Sequence, residues 1–135
     1  MDSETITLET GHTRGVFDIT GKVARFAAIR GDGHLSLFVP HSTAGLAIIE
    51  TGSGSEVDLI DMLDTIVPRE DEKYRHRHGA PGHGADHLIP SLLSPSLVIP
   101  VLAGRMQLGA WQAIVLVDFN VDNAVRQVHF NFLFG

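Results

Sequence analysis

The sequence contains no cysteine among its 135 residues. Disulfide bonds, a thiol nucleophile and a thiolate zinc cage are therefore excluded, and any metal ion must be bound by His, Asp or Glu. No stretch approaches the roughly 20 apolar residues of a membrane-spanning helix. The chain starts Met1-Asp2-Ser3-Glu4, which lacks the basic segment and apolar run of a targeting signal. We therefore expect a cytoplasmic protein with no membrane partner.

Positive charge is also scarce, with 10 Lys and Arg against 16 Asp and Glu and a net charge of -6. This balance opposes nucleic acid as a partner, because the phosphate backbone attracts basic surfaces. The apolar fraction of 44% is that of an ordinary globular protein. No repeat or linker divides the chain, so one domain over residues 1–135 is predicted.

Apolar periodicity predicts a strand-rich chain with two or three helices. Strands are predicted over residues 5–8, 35–39, 44–50, 97–102, 105–108, 111–119 and 126–134. Helices are predicted from Asp18 or Thr20 to Gly31, from the capping box Ser53-x-x-Glu56 to Pro68, and over residues 87–93. Strands and helices do not alternate regularly, which favours an α+β fold with mixed or antiparallel sheets over a doubly wound parallel sheet.

Histidines are concentrated around a long segment, Arg69–Asp86, that has almost no apolar periodicity. A long irregular segment within a compact domain is usually functional or disordered. Imidazole is the commonest protein ligand of zinc-like ions, and three such ligands leave a position for water or substrate. Three candidate ligands, His76, His78 and His83, lie within the segment. His87 lies at its edge, and His41 lies in a separate turn.

The spacing of these histidines is compatible with a site but does not require one. His83 and His87 would share a face on one helical turn, and His76 and His78 would share a face in an extended chain. The alternative is a glycine-rich loop whose His and Arg side chains are merely solvated.

The same segment offers cations for a phosphorylated ligand: Arg69, Lys73, Arg75 and Arg77. Arginine forks and protonated histidine suit phosphate oxygens, and Ser42 and Thr43 add hydroxyl donors. The alternative for these two residues is a polar turn between strands. Motif searches find no phosphate-binding Gly-x-x-x-x-Gly-Lys loop, dinucleotide fingerprint, His-Glu-x-x-His or Gly-x-Ser-x-Gly.

Two further side chains have competing interpretations. Glu50 at a strand end is either a partner that orients a histidine, a general base, or a solvated carboxylate. Trp111, the only tryptophan, either packs in the core or walls a pocket together with Gln112.

In its order and spacing of motifs the chain resembles the small trimeric family of secondary thiamine-phosphate synthases, over nearly its whole length. The motifs are Thr13-Arg14-Gly15, His41-Ser42-Thr43-Ala44, Glu50, Tyr74-Arg75-His76, His87, Ser96-Leu97-Val98-Ile99-Pro100-Val101, Gly104-Arg105 and Gly109-Ala110-Trp111-Gln112-Ala113-Ile114. Departures are Ala110 where the family has Thr, and His83 where it has Asn or Asp.

The resemblance implies a pseudo-barrel or sandwich that assembles as a homotrimer, with His41, His76 and His87 converging near a subunit boundary. It implies coupling of a pyrimidine-methyl pyrophosphate to a thiazole phosphate, with release of pyrophosphate. A divalent ion, zinc or magnesium, would be held by these three histidines, with His83 as a further candidate ligand. The remaining roles are catalysis by His41, Glu50, Arg105 and Trp111, and binding of a small phosphorylated substrate by Ser42, Thr43, Arg75 and Gln112.

Two other functions use the same residues. In a metal-dependent hydrolase, an activated water would attack an ester or phosphoester, with Glu50 or a spare histidine as base. In a trimeric metal- or anion-binding module, no catalysis would occur. Product analysis separates them, because coupling needs two organic substrates and hydrolysis needs one.

Overall fold

The computed structural model describes residues 1–135 as eight strands and three α-helices. The strands are β1 Asp2–Glu9, β2 Gly15–Asp18, β3 Gly33–Phe38, β4 Ala44–Ile49, β5 Ser96–Leu102, β6 Arg105–Met106, β7 Ala113–Asp118 and β8 Val125–Phe134. The helices are α1 Thr20–Ala27, α2 Ser55–Ile66 and α3 His83–Leu88, with single 3-10 turns at Asp71–Lys73 and Ile89–Ser91. None of the helices combines the length and apolar character needed to cross a bilayer.

The strands form a large sheet in the order β1-β8-β3-β5-β6 and a small sheet in the order β2-β7-β4. Every neighbouring pair is antiparallel. In β8 the inward positions Val128, Phe130 and Phe132 are fully buried, as the period-2 pattern of a sheet with one covered face requires. The predicted α+β fold with antiparallel sheets and up to three helices is confirmed.

Strand β7 is buried at every position because both faces of the small sheet are covered. Ile114 and Leu116 belong to a core shared with the large sheet and α1. Val115 and Val117 belong to a second core, formed with α2 and α3. The domain therefore has three layers, and the small sheet lies in the middle.

Local details differ from the predictions where backbone geometry overrides sequence pattern. Ser53 does not cap α2, because Gly54 takes the N-cap position with a φ of 97°. The Glu56 carboxylate instead accepts a hydrogen bond from Gly52 N at 2.5 Å. Strand β2 was not predicted, since it has only four residues and depends on pairing with β7.

The histidine-bearing segment is more ordered than its composition predicts. The Arg69 guanidinium binds the buried carboxylate of Asp86 on α3 and donates to Pro81 O at 2.8 Å. The Tyr74 hydroxyl donates to Pro68 O at 2.5 Å. These contacts fold the segment back onto α3, which places its histidines beside those of the helix.

Candidate metal centre

Close backbone packing brings His76 to α3. Gly84 lies against the loop so tightly that a Cβ there would be 2.4 Å from His76 O. Gly82 precedes the helix with a φ of 87°, a conformation that glycine adopts without strain. Any larger residue at position 84 would push the loop at His76 away from the helix.

Four histidines form the resulting histidine cluster: His76, His78, His83 and His87. The ligand nitrogens of His76, His83 and His87 all lie within 4.8 Å of one another. His83 Nε2 and His87 Nε2 are 2.9 Å apart, because one helical turn places both rings on the same face of α3. His78 packs its ring 4.2 Å from that of His76 and 4.9 Å from that of His83.

The cluster favours neutral imidazoles, the form that binds metal ions. Desolvation and the neighbouring His83, His76 and His78 rings lower the pKa of His87 below its ordinary value of 6.5. Desolvation, followed by repulsion from His78 and His83, also lowers the pKa of His76. His83 Nδ1 lies 3.3 Å from Asp122 Oδ2, a contact that leaves its Nε2 facing His87.

An open cavity of about 370 Å³ adjoins the histidine cluster and is lined by His76, His87, Tyr74 and the cations Lys73 and Arg75. Lys73 pairs with Glu70 at 3.3 Å. Arg75 makes no ion pair or hydrogen bond, whereas Arg69 and Arg77 are engaged by the segment itself. Arg75 is therefore the one arginine of the segment that is free to bind an anionic ligand.

His41 does not join the histidine cluster within one chain. Its Nε2 accepts a hydrogen bond from Gln127 N at 2.9 Å. Burial, followed by the charge of Arg126, lowers the pKa of His41. The histidines that could hold a metal ion within a single chain are thus His76, His83 and His87 rather than His41, His76 and His87. The meeting of His41 with the other two across a subunit boundary stays a prediction.

The remaining candidates lie outside the cavity beside the histidines. In the turn before β4, Ser42 is exposed and the buried Thr43 hydroxyl accepts a hydrogen bond from Arg126 at 2.8 Å. Glu50 is exposed and accepts from the Ser53 hydroxyl. Their predicted roles in binding and catalysis remain predictions.

The segment between β6 and β7 projects into solvent. Trp111 is 77% exposed, so it does not pack in the core, and the strand predicted from residue 111 starts at Ala113. Gln112 is exposed and its Oε1 accepts from Gly109 N at 2.7 Å. Arg105 is exposed at the start of β6. No cavity of the single chain is lined by these side chains.

Sequence reasoning missed a buried polar network behind the site. Asp118 is fully buried and binds Arg126 through Nε at 2.9 Å and Nη2 at 2.8 Å. Asn120 donates its backbone N–H to Asp118 and its side-chain amide to Asp86, at 3.1 and 3.2 Å. Its Oδ1 accepts from Asp122 N at 2.7 Å. The one available signal was a single aspartate within the apolar run of β7.

Comparisons with known proteins find relatives that match this chain over nearly its whole length. A family described as "UPF0047 protein YjbQ-like" matches residues 4–134. The UPF0047 protein Rv2556c of Mycobacterium tuberculosis is 49% identical, with all of both chains covered. A UPF0047 protein of Archaeoglobus fulgidus is 34% identical over 91% of this chain and 95% of its own.

Solved structures show the same architecture. The hypothetical protein APE1520 from Aeropyrum pernix K1 superposes with a TM-score of 0.90 at 28% identity, with all of both chains covered. The conserved hypothetical protein TT1486 from Thermus thermophilus has a TM-score of 0.84 at 30% identity, over 96% of this chain and 99% of its own. The chain therefore belongs to the UPF0047 protein YjbQ-like family.

Proposed function

We propose that this protein binds a zinc-like divalent ion through His76, His83 and His87 and acts on a small phosphorylated molecule in the adjoining cavity. The observation that carries this proposal is the convergence of three imidazole nitrogens within 4.8 Å beside a cavity that holds the unengaged Arg75. Three nitrogen ligands leave an open position on the ion, at which a phosphate oxygen or water can bind.

The donor set favours zinc over magnesium. Magnesium prefers six oxygen ligands and keeps several waters, whereas zinc accepts tetrahedral imidazole coordination. At zinc–nitrogen distances of roughly 2.0–2.1 Å, tetrahedral ligand nitrogens lie about 3.3 Å apart. The His83 and His87 nitrogens, 2.9 Å apart, therefore need to separate slightly. The widest nitrogen–nitrogen separation, within 4.8 Å, needs to shorten by up to about 1.5 Å, which side-chain rotation of the exposed His76 can supply.

The reaction we propose is the coupling implied by the sequence resemblance, carried out by a homotrimer. The thiazole nitrogen forms a bond to the pyrimidine methylene carbon, and the carbon–oxygen bond to pyrophosphate breaks with its electron pair on the departing oxygen. Such a reaction is accelerated by aligned substrates and by positive charge at the leaving group. In this proposal Arg75 and Lys73, which line the cavity, would hold the pyrophosphate oxygens, and a bound ion would supply further positive charge.

Metal-assisted hydrolysis is the second candidate, and His78 favours it. This imidazole contacts His76 and His83 but is not among the three convergent ligands. It is therefore available as a base for a water molecule at the open coordination position. Glu50, the carboxylate considered for that role, is not part of this cavity.

The test starts with protein purified without an affinity tag. Metal analysis is expected to find one zinc-class ion per chain, and the double variant His83→Ala/His87→Ala is expected to have lost it. His34→Ala is the matched control, because His34 is exposed and makes no hydrogen bond in the structure. Full metal content in the double variant would contradict the proposed metal site.

Product analysis tests the reaction separately. The pyrimidine pyrophosphate and thiazole phosphate supplied together should give thiamine phosphate and pyrophosphate, and Arg75→Ala should reduce that rate. Pyrophosphate cleavage without the thiazole would instead identify a hydrolase. His41→Ala should abolish coupling without unfolding the protein, and retained turnover in the pure variant would show that His41 has no catalytic role.

A further inference from the structure

A second cavity lies between β1 and α1, on the layer of the large sheet rather than on the α3 layer. Its volume is about 570 Å³, larger than the 370 Å³ beside the histidine cluster. It falls within the size range of small-molecule sites, roughly 300–1,000 Å³. None of its lining residues lines the cavity beside the histidine cluster.

Three cations surround this cavity in a chain whose net charge is -6: Lys22, Arg25 and Arg30. Lys22 and Arg25 stand three residues apart on α1, so their side chains share a face of the helix. Both are exposed, and neither forms an ion pair. Arg30 is held in place, because its Nε pairs with Asp2 at 3.1 Å and its guanidinium also donates to Phe26 O.

The cavity also has an apolar side. The Arg30 guanidinium carbon lies 3.7 Å from the centre of the Phe26 ring, so the planar cation is stacked on an aromatic surface. Ile29 also lines the cavity and is 86% exposed, so its apolar side chain is available to a ligand. Glu4 on β1 lines the same cavity and offers an acceptor for hydroxyl or amino groups.

We propose that this cavity binds a nucleoside monophosphate. Lys22 and Arg25 supply the charge for the phosphate, because both side chains can donate charge-assisted hydrogen bonds to phosphate oxygens. The exposed Ile29 offers an apolar contact for the base, and Glu4 accepts from a ribose hydroxyl. This site is separate from the proposed metal site and does not depend on its activity.

Adenosine monophosphate is the probe, and titration calorimetry is the measurement. The double variant Lys22→Ala/Arg25→Ala is expected to bind at least about tenfold more weakly, because it removes both charge-assisted contacts to the phosphate; a factor of ten corresponds to about 1.4 kcal/mol. The matched control is Lys73→Ala/Arg75→Ala, which removes the same charge from the other cavity and should leave the affinity within about twofold.

Ile29→Ser tests the apolar part of the proposal. Because Ile29 is exposed, the variant should fold, and circular dichroism checks that its spectrum matches that of the wild type. The substitution is expected to weaken binding of adenosine monophosphate and to leave binding of inorganic phosphate unchanged. The proposal is overturned if the wild type does not bind adenosine monophosphate, if inorganic phosphate binds equally well, or if the Lys73/Arg75 variant, and not the Lys22/Arg25 variant, loses binding.

Discussion

Within the histidine cluster, His83 contacts both another histidine and a carboxylate. Its Nε2 faces His87 Nε2 at 2.9 Å and its Nδ1 faces the Asp122 carboxylate at 3.3 Å. In the metal-free chain one Nε2 must carry a proton that the other accepts. A metal ion would replace that proton and bind the Nε2 lone pairs of both His83 and His87. The hydrogen of His83 then sits on Nδ1, and the contact with the Asp122 carboxylate stabilises that tautomer.

Asp122→Asn is therefore expected to weaken metal binding without removing a ligand. Partners that orient a ligating histidine typically contribute 10–100-fold in affinity, and we expect a loss of about that size. Competition with a chromogenic zinc chelator measures it. Asp58→Asn on the exposed face of α2 makes the same chemical change away from the histidines and should bind the metal ion like the wild type. Equal metal affinities of the two variants would show that Asp122 does not orient His83.

The lowered pKa of His87 predicts how stability depends on pH. Because its folded-state pKa lies below the ordinary 6.5, the unfolded chain binds more protons at mildly acidic pH. Its contribution to the free energy of unfolding is present above pH 6.5 and is lost as pH falls through the folded-state value. Urea unfolding of the metal-free protein at about pH 7.5 and about pH 5.5 should show this loss. The free energy of unfolding of His87→Ala should fall less between these two pH values than that of the wild type. An equal fall in both proteins would contradict the prediction.

Helix α3 carries His83 and His87 and lies unusually close to the loop backbone at His76. It has only six residues, too short to be stable alone, so its position comes from packing against the second core and from the Arg69–Asp86 ion pair. Gly84 allows the loop backbone at His76 to touch it. The geometry of the histidine cluster is thus set by a backbone contact that involves no imidazole.

Gly84→Ala should consequently weaken both folding and metal binding. A methyl group 2.4 Å from His76 O must push the loop away, and overpacking of this kind costs roughly 1–3 kcal/mol. Gly21→Ala in α1 is the matched control, because its nearest neighbour would be Arg25 Nη1 at 3.8 Å. That control should gain roughly 0.5–1 kcal/mol from helix propensity, and similar behaviour of the two variants in urea unfolding would contradict the role of Gly84.

At the scale of the whole molecule, the Asp118–Arg126 pair joins the two sheets. Asp118 ends β7 of the small sheet, and Arg126 lies on the inward face of β8 in the large sheet. Thr10, after β1, donates to Asp118 at 2.6 Å, and Thr43, before β4, accepts from Arg126. Both carboxylate oxygens of Asp118 and two of the three guanidinium nitrogens of Arg126 are thus hydrogen bonded in the interior, and such bonds offset the cost of burying an ion pair.

Removing one partner leaves a buried charge without compensation. Arg126→Met should lower the free energy of unfolding by about 3–5 kcal/mol, measured by urea denaturation at fixed protein concentration. Arg105→Met changes an exposed arginine in the same way and should stay within roughly 0.5 kcal/mol of the wild type. A loss below about 1 kcal/mol for Arg126→Met would show that the pair does not hold the sheets together.

Much of the fold could be predicted because its signals are local. Val128, Phe130 and Phe132 alternate as a strand with one buried face must, and β8 has that structure. The four-residue spacing of His83 and His87 is that of neighbours on one helical face, and α3 provides that face. The helix predicted over residues 87–93, however, starts four residues earlier, at His83. Strand β2 escaped prediction because four residues carry little periodicity and its hydrogen bonds come from β7.

By itself, the sequence determined the chemistry available to this protein: imidazole and carboxylate ligands without thiolates, a surplus of negative charge, and strands and helices set by side-chain periods of about two and about 3.6 residues. Tertiary structure alone decided that His83 joins His76 and His87 while His41 bonds to Gln127, and that Arg75 stays free. The physical reason is that periodicity reports which face a residue occupies, whereas contacts between distant segments depend on how layers pack and where glycine permits close approach.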